Sequence, residues 1–364
     1  MKNIFGNNIT VTLFGESHGE AIGAVIDGMS PGVAVDTDFI AAELTKRRPS
    51  GKTGTKRVEA DPFRIVSGVF EGKTTGTPIC IIIENSNTKS KDYSATRSLA
   101  RPGHADYTAN CKYHGCEDYR GGGHFSGRIT AALVAAGAIA LLALKSKGIV
   151  IGTHVARCAG ISDRAFGDMA ADIAELDSKI FAVLDEDAGE AMTKKIEAAA
   201  AEGDSVGGVL ESAVLGMPAG AGEPWFDTVE GLLSHALFSI PAIKGVRFGA
   251  GFDMVDAMGS EYNDPFRMDG DKIVTATNNN GGINGGITNG MPITFRCAVK
   301  PTPSIYKVQD TVDFMEKADR KLQIEGRHDP AILHRARVVV DSVAALVLCD
   351  MLVGRYGTDY FFEE

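Results

Sequence analysis

The spacing of apolar and polar residues predicts a chain in which strands and helices are mixed. Apolar residues alternate with polar ones over residues 9–14, which predicts a strand, and a second strand is expected over residues 21–26. Apolar residues four apart within 36–48, with an N-capping side chain before them and Pro49 after them, predict a helix. Further strands are expected at 64–70, 79–83, 150–156, 208–215, 245–252 and 293–300, and further helices within 163–202 and at 228–237 and 339–352. Because the two kinds of element do not alternate strictly, we predict an α+β fold with a single domain over residues 1–364.

Two stretches depart from this periodicity. Residues 129–144 are Ala-rich and carry no charge, but they are shorter than the ~20 residues that cross a membrane, so we expect a helix buried at the centre of the fold. Residues 84–127 have little periodicity and many Gly, His, Arg and Tyr residues, which is typical of a functional segment.

Composition and charge narrow the class of protein. The chain has 364 residues, 44% of them hydrophobic, and a net charge of −10, which argues against a general affinity for nucleic acid or anionic membranes. Its six cysteines are scattered, and no apolar segment follows the first residues. We therefore expect a soluble cytoplasmic protein with reduced thiols.

Two histidines are flanked by glycine in short polar motifs, His18 in GESHG and His104 in RPGHAD. A lone histidine is usually structural, but two in such settings favour general acid and base chemistry. A metal site is the less favoured alternative, because the pattern Cys111-x-x-His114-x-Cys116 matches no common zinc spacing.

Cations and glycines indicate an anionic ligand. Residues 46–57 hold six cations and no acid, which suits either a solvated surface loop or a loop that folds around a small polyanion. Three glycines at 121–123 precede the predicted buried helix, where backbone N–H groups favour an anion. Gly/Asn turns are expected at 278–290, a lysine begins the segment 300–304, and Arg327 lies beside Asp329 in the segment 326–330. Since no activated nucleophile is recognisable, these features predict a lyase, isomerase or transferase acting on a small anion with phosphate and carboxylate groups.

At this point the motifs resemble one family over nearly the whole chain. The matching segments are GESHG (15–19), RRP (47–49), SGVFEGKTTGTPI (67–79), DYSATR (92–97), RPGHADYT (101–108), GDSVGG (203–208), KGVRFGAGF (244–252), GSEYND (259–264), NGGINGGITNG (280–290), KPTPSI (300–305) and GRHDP (326–330). In this order they resemble chorismate synthase.

The resemblance implies a reaction, a cofactor and a fold. The family converts 5-enolpyruvylshikimate 3-phosphate to chorismate by anti-1,4 elimination of phosphate. It requires reduced FMN, which would lend electron density to C–O cleavage and recover it when a hydrogen leaves C6; NAD(P)H would be a possible reductant. The implied fold is a β-α-β sandwich, in which two antiparallel sheets enclose a helical layer, and the implied assembly is a homotetramer.

The resemblance also implies residue roles. His18 would protonate the departing phosphate, His104 would protonate the reduced flavin, and Asp329, with flavin N5, would assist removal of the C6 hydrogen. Substrate anions would be bound by Ser17, Arg47, Arg48, Lys52, Arg57, Arg128 and Arg327. FMN would lie along His124, Phe125, Ser126, Pro241, Ala242, Gly285, Lys300, Pro301, Thr302, Pro303 and Ser304, with Arg327 adjacent.

Two departures from the family pattern lie at the expected flavin site. Many members read GGGRSSAR where this chain has GGGHFSGR at 121–128, and many have Asn where this chain has Pro241. We expect FMN binding to be retained with altered contacts, with His124 replacing the cation and Phe125 packing on a ring. The alternative function is an anion- or flavin-binding protein on the same scaffold that has lost catalysis.

Overall fold

A computed structural model describes residues 2–49, 60–85, 97–324 and 328–362. The α-helices are α1 Thr37–Arg47, α2 Asp106–Tyr113, α3 Thr130–Ser146, α4 Met169–Asp177, α5 Glu186–Ala201, α6 Val229–Leu237, α7 Gly259–Tyr262 and α8 Leu333–Tyr356. The strands are β1 Ile4–Phe5, β2 Thr10–Gly15, β3 Ala21–Asp27, β4 Phe63–Ser67, β5 Val69–Phe70, β6 Lys73–Thr74, β7 Ile79–Glu84, β8 Val150–Cys158, β9 Ile161–Ser162, β10 Gly208–Leu215, β11 Ile243–Phe248, β12 Phe266–Asp269, β13 Lys272–Thr275, β14 Ile283–Asn284, β15 Ile287–Thr288, β16 Ile293–Val299, β17 Gln309–Asp313 and β18 Ala318–Leu322.

Within the described residues the strands form two five-stranded sheets and four small hairpins. The first sheet has the order β1-β2-β3-β7-β4 and the second has the order β11-β16-β10-β8-β9. Every pairing in both sheets is antiparallel. Helix α3 packs on β3 and β7 of the first sheet, and α8 packs on β8 and β10 of the second. The predicted α+β sandwich, with two antiparallel sheets around a helical layer, is therefore confirmed; the single domain over residues 1–364 stays a prediction.

Helix α3 lies at the centre of the fold because its sequence is apolar on every side. From Ala131 to Ala140 every residue of α3 is buried, and α3 packs closely against α8, which is buried over most of its length. The stretch Gly127–Ser146 is long enough to cross a membrane, but 78% of its most apolar window lies inside the protein. The predicted buried helix is therefore present, and its burial fits a soluble protein; a cytoplasmic location stays a prediction.

Several predicted elements have other bounds than expected. Strand β11 ends at Phe248 rather than at residue 252, because Gly249 and Gly251 adopt φ values of 50° and 53° and the chain turns. Helix α8 begins at Leu333, six residues before the predicted start, where interspersed His and Arg side chains hide the apolar pattern. The segment 84–127, expected to be irregular, contains helix α2.

Candidate active site

The GESHG motif forms the tight turn that joins β2 to β3. The Gly19 N–H donates to the Glu16 carbonyl at 3.0 Å, so Ser17 and His18 occupy the two central positions of a β-turn. Gly15 has a φ of 95°, and a Cβ there would lie 2.3 Å from the Ala21 carbonyl oxygen. The turn therefore needs glycine where it leaves β2, and it places His18 at the end of the first sheet, where β2 turns into β3.

The triglycine loop brings the two predicted histidines together. A Cβ on Gly121 would lie 2.1 Å from His18 Cε1, and a Cβ on Gly122 would lie 2.9 Å from His104 Cε1. The two imidazoles therefore pack against consecutive glycines, whose Cα atoms are about 3.8 Å apart across a trans peptide. Side chains that are 86 positions apart in sequence (104 − 18) thus reach the same loop.

His104 lies against an arginine and a carboxylate from its own motif. Its Nδ1 is 3.1 Å from an Arg101 guanidinium nitrogen and 3.3 Å from Asp106 Oδ1. Arg101 also binds Asp106 through both Nε and a terminal nitrogen, at 2.8 and 2.6 Å. Burial alone raises the pKa of the Asp106 carboxyl, but hydrogen bonds from Arg101 and His104 and their charges outweigh it and hold that pKa well below its usual range. Asp106 is therefore a permanent anion beside His104.

Ser17 is engaged by protein atoms on three sides. Its Oγ lies 3.1 Å from His18 Nδ1 and 3.2 Å from the carbonyl oxygens of both Arg120 and Gly121. Ser17 is 7% exposed. A hydroxyl has one hydrogen, which the carbonyls must receive, so Ser17 accepts from His18 Nδ1–H. The role of Ser17 as a substrate contact stays a prediction.

Two of the predicted substrate arginines share a buried counter-ion. Arg128 donates to Asp61 Oδ1 and, from Nε, to Asn85 Oδ1 at 3.0 Å. Arg47 lies 3.5 Å from Asp61 Oδ2, donates to Thr130 Oγ1 at 2.9 Å, and is 2% exposed. Arg128 thus keeps N–H groups for a ligand near the GESHG turn, whereas the N–H groups of Arg47 are largely used by protein acceptors.

The other predicted charged residues are placed less fully. Arg48 donates to the Ala60 carbonyl, and its buried Nε has no hydrogen-bond partner within the described residues. Asp329 pairs with Arg335, whose Nε also donates to the Arg47 carbonyl at 2.8 Å. The GRHDP aspartate is therefore tied to the end of α1. Three predicted binders lie outside the described residues, namely Lys52, Arg57 and Arg327.

The altered loop after the triglycine contributes three predicted flavin residues. His124 Nδ1 donates to the Gly15 carbonyl at 2.8 Å, which fixes the ring against the GESHG turn. Phe125 is 38% exposed and meets Tyr113 edge-on, with ring centroids 6.0 Å apart. Ser126 Oγ accepts from the Arg128 N–H at 3.3 Å at the start of the buried helix. His124 therefore ties this loop to the GESHG motif, and Phe125 and Ser126 follow it in the chain.

The predicted flavin segment 300–304 reaches the same region from the second sheet. Lys300 Nζ donates to the Gly103 carbonyl in the RPGHAD motif, and the Pro303 side chain is close to Gly103. Thr302 Oγ1 is buried with no hydrogen-bond partner in the described part of the chain. An unsatisfied hydroxyl next to a cation fits a ligand with polar edges such as a flavin. Of the remaining residues, Pro301 is exposed and Ser304 is buried.

Three further predicted flavin residues differ in their relation to this region. Ala242 is adjacent to it, since its carbonyl accepts from the Lys300 N–H at 3.0 Å, and Pro241 precedes it. Gly285, in contrast, lies at the tip of the β14–β15 hairpin, and the carbonyl of the next residue, Gly286, accepts from the Val229 N–H at the start of α6. No contact between Gly285 and the segment 300–304 is found among the described residues.

Several residues that build the site were missed by the sequence analysis. Asp61, Asn85 and Arg335 make the contacts that hold Arg128, the GESHG turn and Asp329. Asp61 stands just outside the cation-rich stretch, and Asn85 is the first residue after a strand. Nothing in their spacing distinguishes them from ordinary loop residues, because their partners are remote in sequence.

A comparison with protein families decides the identity of the chain. Residues 9–353 match the family model described as chorismate synthase. The chain belongs to the chorismate synthase family. A chorismate synthase of Dehalococcoides mccartyi is 47% identical over 96% of both chains, and one of Thermococcus kodakarensis is 44% identical over 96% of this chain and 97% of its own. A crystal structure of chorismate synthase superposes with a TM-score of 0.78 at 28% identity, covering 99% of this chain and 95% of that one.

Membership of the chorismate synthase family confirms the resemblance found in the motifs. It also confirms a lyase of the shikimate pathway that acts on a small molecule, and it implies a requirement for reduced flavin. The individual roles of the site residues stay predictions.

Proposed function

We propose that this chain converts 5-enolpyruvylshikimate 3-phosphate to chorismate, with His18 and His104, which pack against the triglycine loop, as its proton carriers. The observation that carries this proposal is the packing of His18 and His104 against Gly121 and Gly122. One loop thereby places a proton donor for a leaving phosphate next to a second imidazole. The alternative, a scaffold that has lost catalysis, has no support from the comparisons.

The geometry supports a division of labour among the residues. His18, held by Ser17 at Nδ1, gives a proton from Nε2 to the departing phosphate. Arg128 binds an anionic group of the substrate and stabilises the charge that develops as the C–O bond breaks. Asp329, oriented by Arg335, is the candidate acceptor for the hydrogen at C6.

The residues present fit FMN on one side of this site. Lys300 donates to Gly103 of the RPGHAD motif, where His104 lies with the permanent anion Asp106. The hydroxyl of Thr302, two residues after Lys300, has no hydrogen-bond partner in the described part of the chain. Bound reduced FMN would supply the electron density that the redox-neutral elimination requires. We propose that His104, held between Arg101 and Asp106, is the proton carrier of this pocket.

An anaerobic assay tests the proposal. Reduced FMN and 5-enolpyruvylshikimate 3-phosphate are added to the purified protein, and chorismate absorbance and phosphate release are followed together. We expect equal amounts of both products, no turnover without reduced flavin, and no effect of a chelator. Loss of activity with the chelator would favour a metal-dependent hydrolase, and micromolar FMN that fails to bind would contradict the flavin residues. Repeating the assay with oxidised FMN and NAD(P)H tests whether the chain reduces its own flavin.

Substitution of either histidine tests the proton carriers. We expect His18→Ala and His104→Ala each to lower turnover about 10²–10⁴-fold while circular dichroism and melting temperature stay close to those of the parent. A variant that keeps near-parental turnover would remove that histidine from the proposed role.

A further inference from the structure

The side-chain amide of Asn85 joins the GESHG turn to the substrate arginine. Asn85 is the first residue after β7, and its backbone N–H extends the β3–β7 pairing by donating to the Glu20 carbonyl at 3.0 Å. Its Nδ2 donates to the carbonyls of Glu16 and Gly19 at 2.9 and 3.0 Å. Its Oδ1 accepts from Arg128 Nε at 3.0 Å.

The chemistry of these partners fixes the orientation of the amide. Two of the neighbours are carbonyl oxygens, which can only accept, and the third is a guanidinium N–H, which can only donate. The NH₂ group must therefore face the turn and the oxygen must face Arg128. Both amide hydrogens are used by the turn, and the oxygen is left for the arginine.

The two carbonyls that Asn85 binds are the ends of one β-turn. Glu16 is its first residue and Gly19 its fourth, and the Gly19 N–H closes the turn onto the Glu16 carbonyl. The central positions are Ser17 and His18. An amide that holds both ends of the turn restricts how the whole turn can tilt, and with it the direction of the His18 ring.

The other side of the amide restricts Arg128. This side chain is 10% exposed, and two further acceptors, Asp61 and the Glu84 carbonyl, take its terminal nitrogens. Asn85 takes Nε, so the plane of the guanidinium is set from both of its edges. The remaining N–H groups of Arg128 are available to a substrate anion only in that plane.

We propose that Asn85 is a positioning residue that fixes the relative placement of the proton donor His18 and the anion-binding Arg128. The inference rests on the proposed function, since it takes those two roles as given. Asn is suited to this place because one short side chain supplies two donors to the turn and one acceptor to the arginine. A carboxylate keeps the acceptor and loses the donors, and alanine loses both.

Steady-state kinetics of Asn85→Ala and Asn85→Asp separate the two halves of the role. We expect Asn85→Ala to lower kcat at least about tenfold and to raise KM several-fold, because both His18 and Arg128 are released. Asn85→Asp keeps the bond to Arg128 but places charge against two carbonyls, so we expect a similar fall in kcat with KM within about twofold of the parent. The proposal is wrong if both variants keep the parental kcat, or if the aspartate raises KM as much as alanine does.

A structural measurement makes the test independent of turnover. The Nε–H resonance of Arg128 in ¹⁵N-labelled protein, assigned by its loss in Arg128→Lys, should shift in Asn85→Ala and persist near its position in Asn85→Asp. An unmoved resonance in the alanine variant would show that Asn85 does not hold Arg128. If the parent protein itself made no chorismate, the proposed function would fail, and the resonance would still test the contact.

Matched variants guard against a general loss of folding. Asn8→Ala removes an asparagine at the opposite end of β2, and we expect it to leave kcat, KM and the Arg128 resonance unchanged. Asn85→Gln keeps the amide on a longer side chain, and we expect it to recover part of the kcat lost in Asn85→Ala. If Asn85→Ala is too unstable to assay, Asn85→Asp still tests the role, because it is expected to lower kcat at an almost unchanged KM; a parental kcat in Asn85→Asp would then overturn the proposal.

Discussion

At the scale of single residues, the site depends on side chains that are absent as much as on those that are present. His18 and His104 can share one loop only because positions 121 and 122 carry no Cβ. Their glycines also adopt φ values of 59° and 88°, which side chains rarely allow. The triglycine loop therefore shapes the space in which the two imidazoles lie.

Gly121→Ala tests this dependence directly. The new Cβ would lie 2.1 Å from His18 Cε1, so the ring must move away from the loop. We expect kcat to fall about 100-fold while KM changes little, because a small displacement of a proton donor is costly to the chemical step. The matched control is Gly148→Ala, which has a φ of 73° and open space around its Cβ. It should lose similar stability but keep kcat; an equal loss of kcat in both variants would contradict the role given to Gly121.

Sequence patterns predicted the histidines but not the residues that hold them. The glycine-flanked motifs singled out His18 and His104, the cation-bearing motifs singled out Arg128 and Asp329, and the family resemblance gave these residues their roles. Asp61 and Asn85 escaped because a buried counter-ion or a bridging amide has no periodic signature; its partners come from other strands and helices. Such contacts become visible only when the fold brings the segments together.

At the scale of elements, local sequence signals predicted the helices and strands whose own residues mark where they begin and end. Helix α1 begins after Asp36, whose side chain accepts from the N–H groups of Asp38 and Phe39, and β10 covers the predicted residues 208–215. The exposed hairpin β12–β13 was not predicted, since its strands are short and have no buried face. Tertiary packing rather than local pattern determines such elements.

A buried charge network connects three elements of the second sheet. His154 on β8 is fully buried, with Nδ1 2.8 Å from Asp163 and Nε2 3.0 Å from Glu211 on β10. Glu211 also accepts from Arg296 on β16 at 2.7 Å. Burial lowers the pKa of His154, but hydrogen bonds to Asp163 and Glu211 outweigh it and raise that pKa above its usual 6.5. The ring is therefore an imidazolium between two carboxylates.

The network predicts a stability that falls as the pH rises above the usual pKa of histidine. Because the folded-state pKa of His154 is raised, its contribution is fully present below about pH 6.5 and is lost as the pH rises through the folded-state value. Each unit by which folding raises the pKa of His154 is worth about 1.4 kcal/mol of unfolding free energy. We expect urea unfolding from about pH 6 to 9, a range that begins near the usual histidine pKa and extends above it, to show this loss in the parent and not in His154→Gln.

The matched control for this network is the exposed His114, which lies in the left-handed region that asparagine tolerates. His114→Asn should keep the parental pH profile. Equal slopes in the parent and His154→Gln would contradict the charged state assigned to His154.

At the scale of the whole molecule, three large aromatic side chains lie exposed. Trp225 and Phe226, just before α6, are 85% and 94% exposed, and Phe252, just after β11, is 79% exposed. Large exposed apolar surfaces on a soluble protein mark sites of interaction. The family resemblance predicts a homotetramer, and we expect the surface formed by the neighbouring Trp225 and Phe226 to be buried in it, and Phe252 likewise.

Phe226→Asp tests whether this surface holds the assembly together. A carboxylate at a buried apolar contact has to be desolvated without a partner, so we expect the tetramer to dissociate into smaller species at micromolar concentration. Light scattering after size exclusion gives the mass, and Phe226→Tyr, which keeps the aromatic ring, should remain assembled. Trp225 is the chain's one tryptophan, so its emission should move to longer wavelength as Phe226→Asp exposes it to water. A parent protein that is monomeric would overturn the tetramer, whereas a tetrameric Phe226→Asp would place the interface elsewhere.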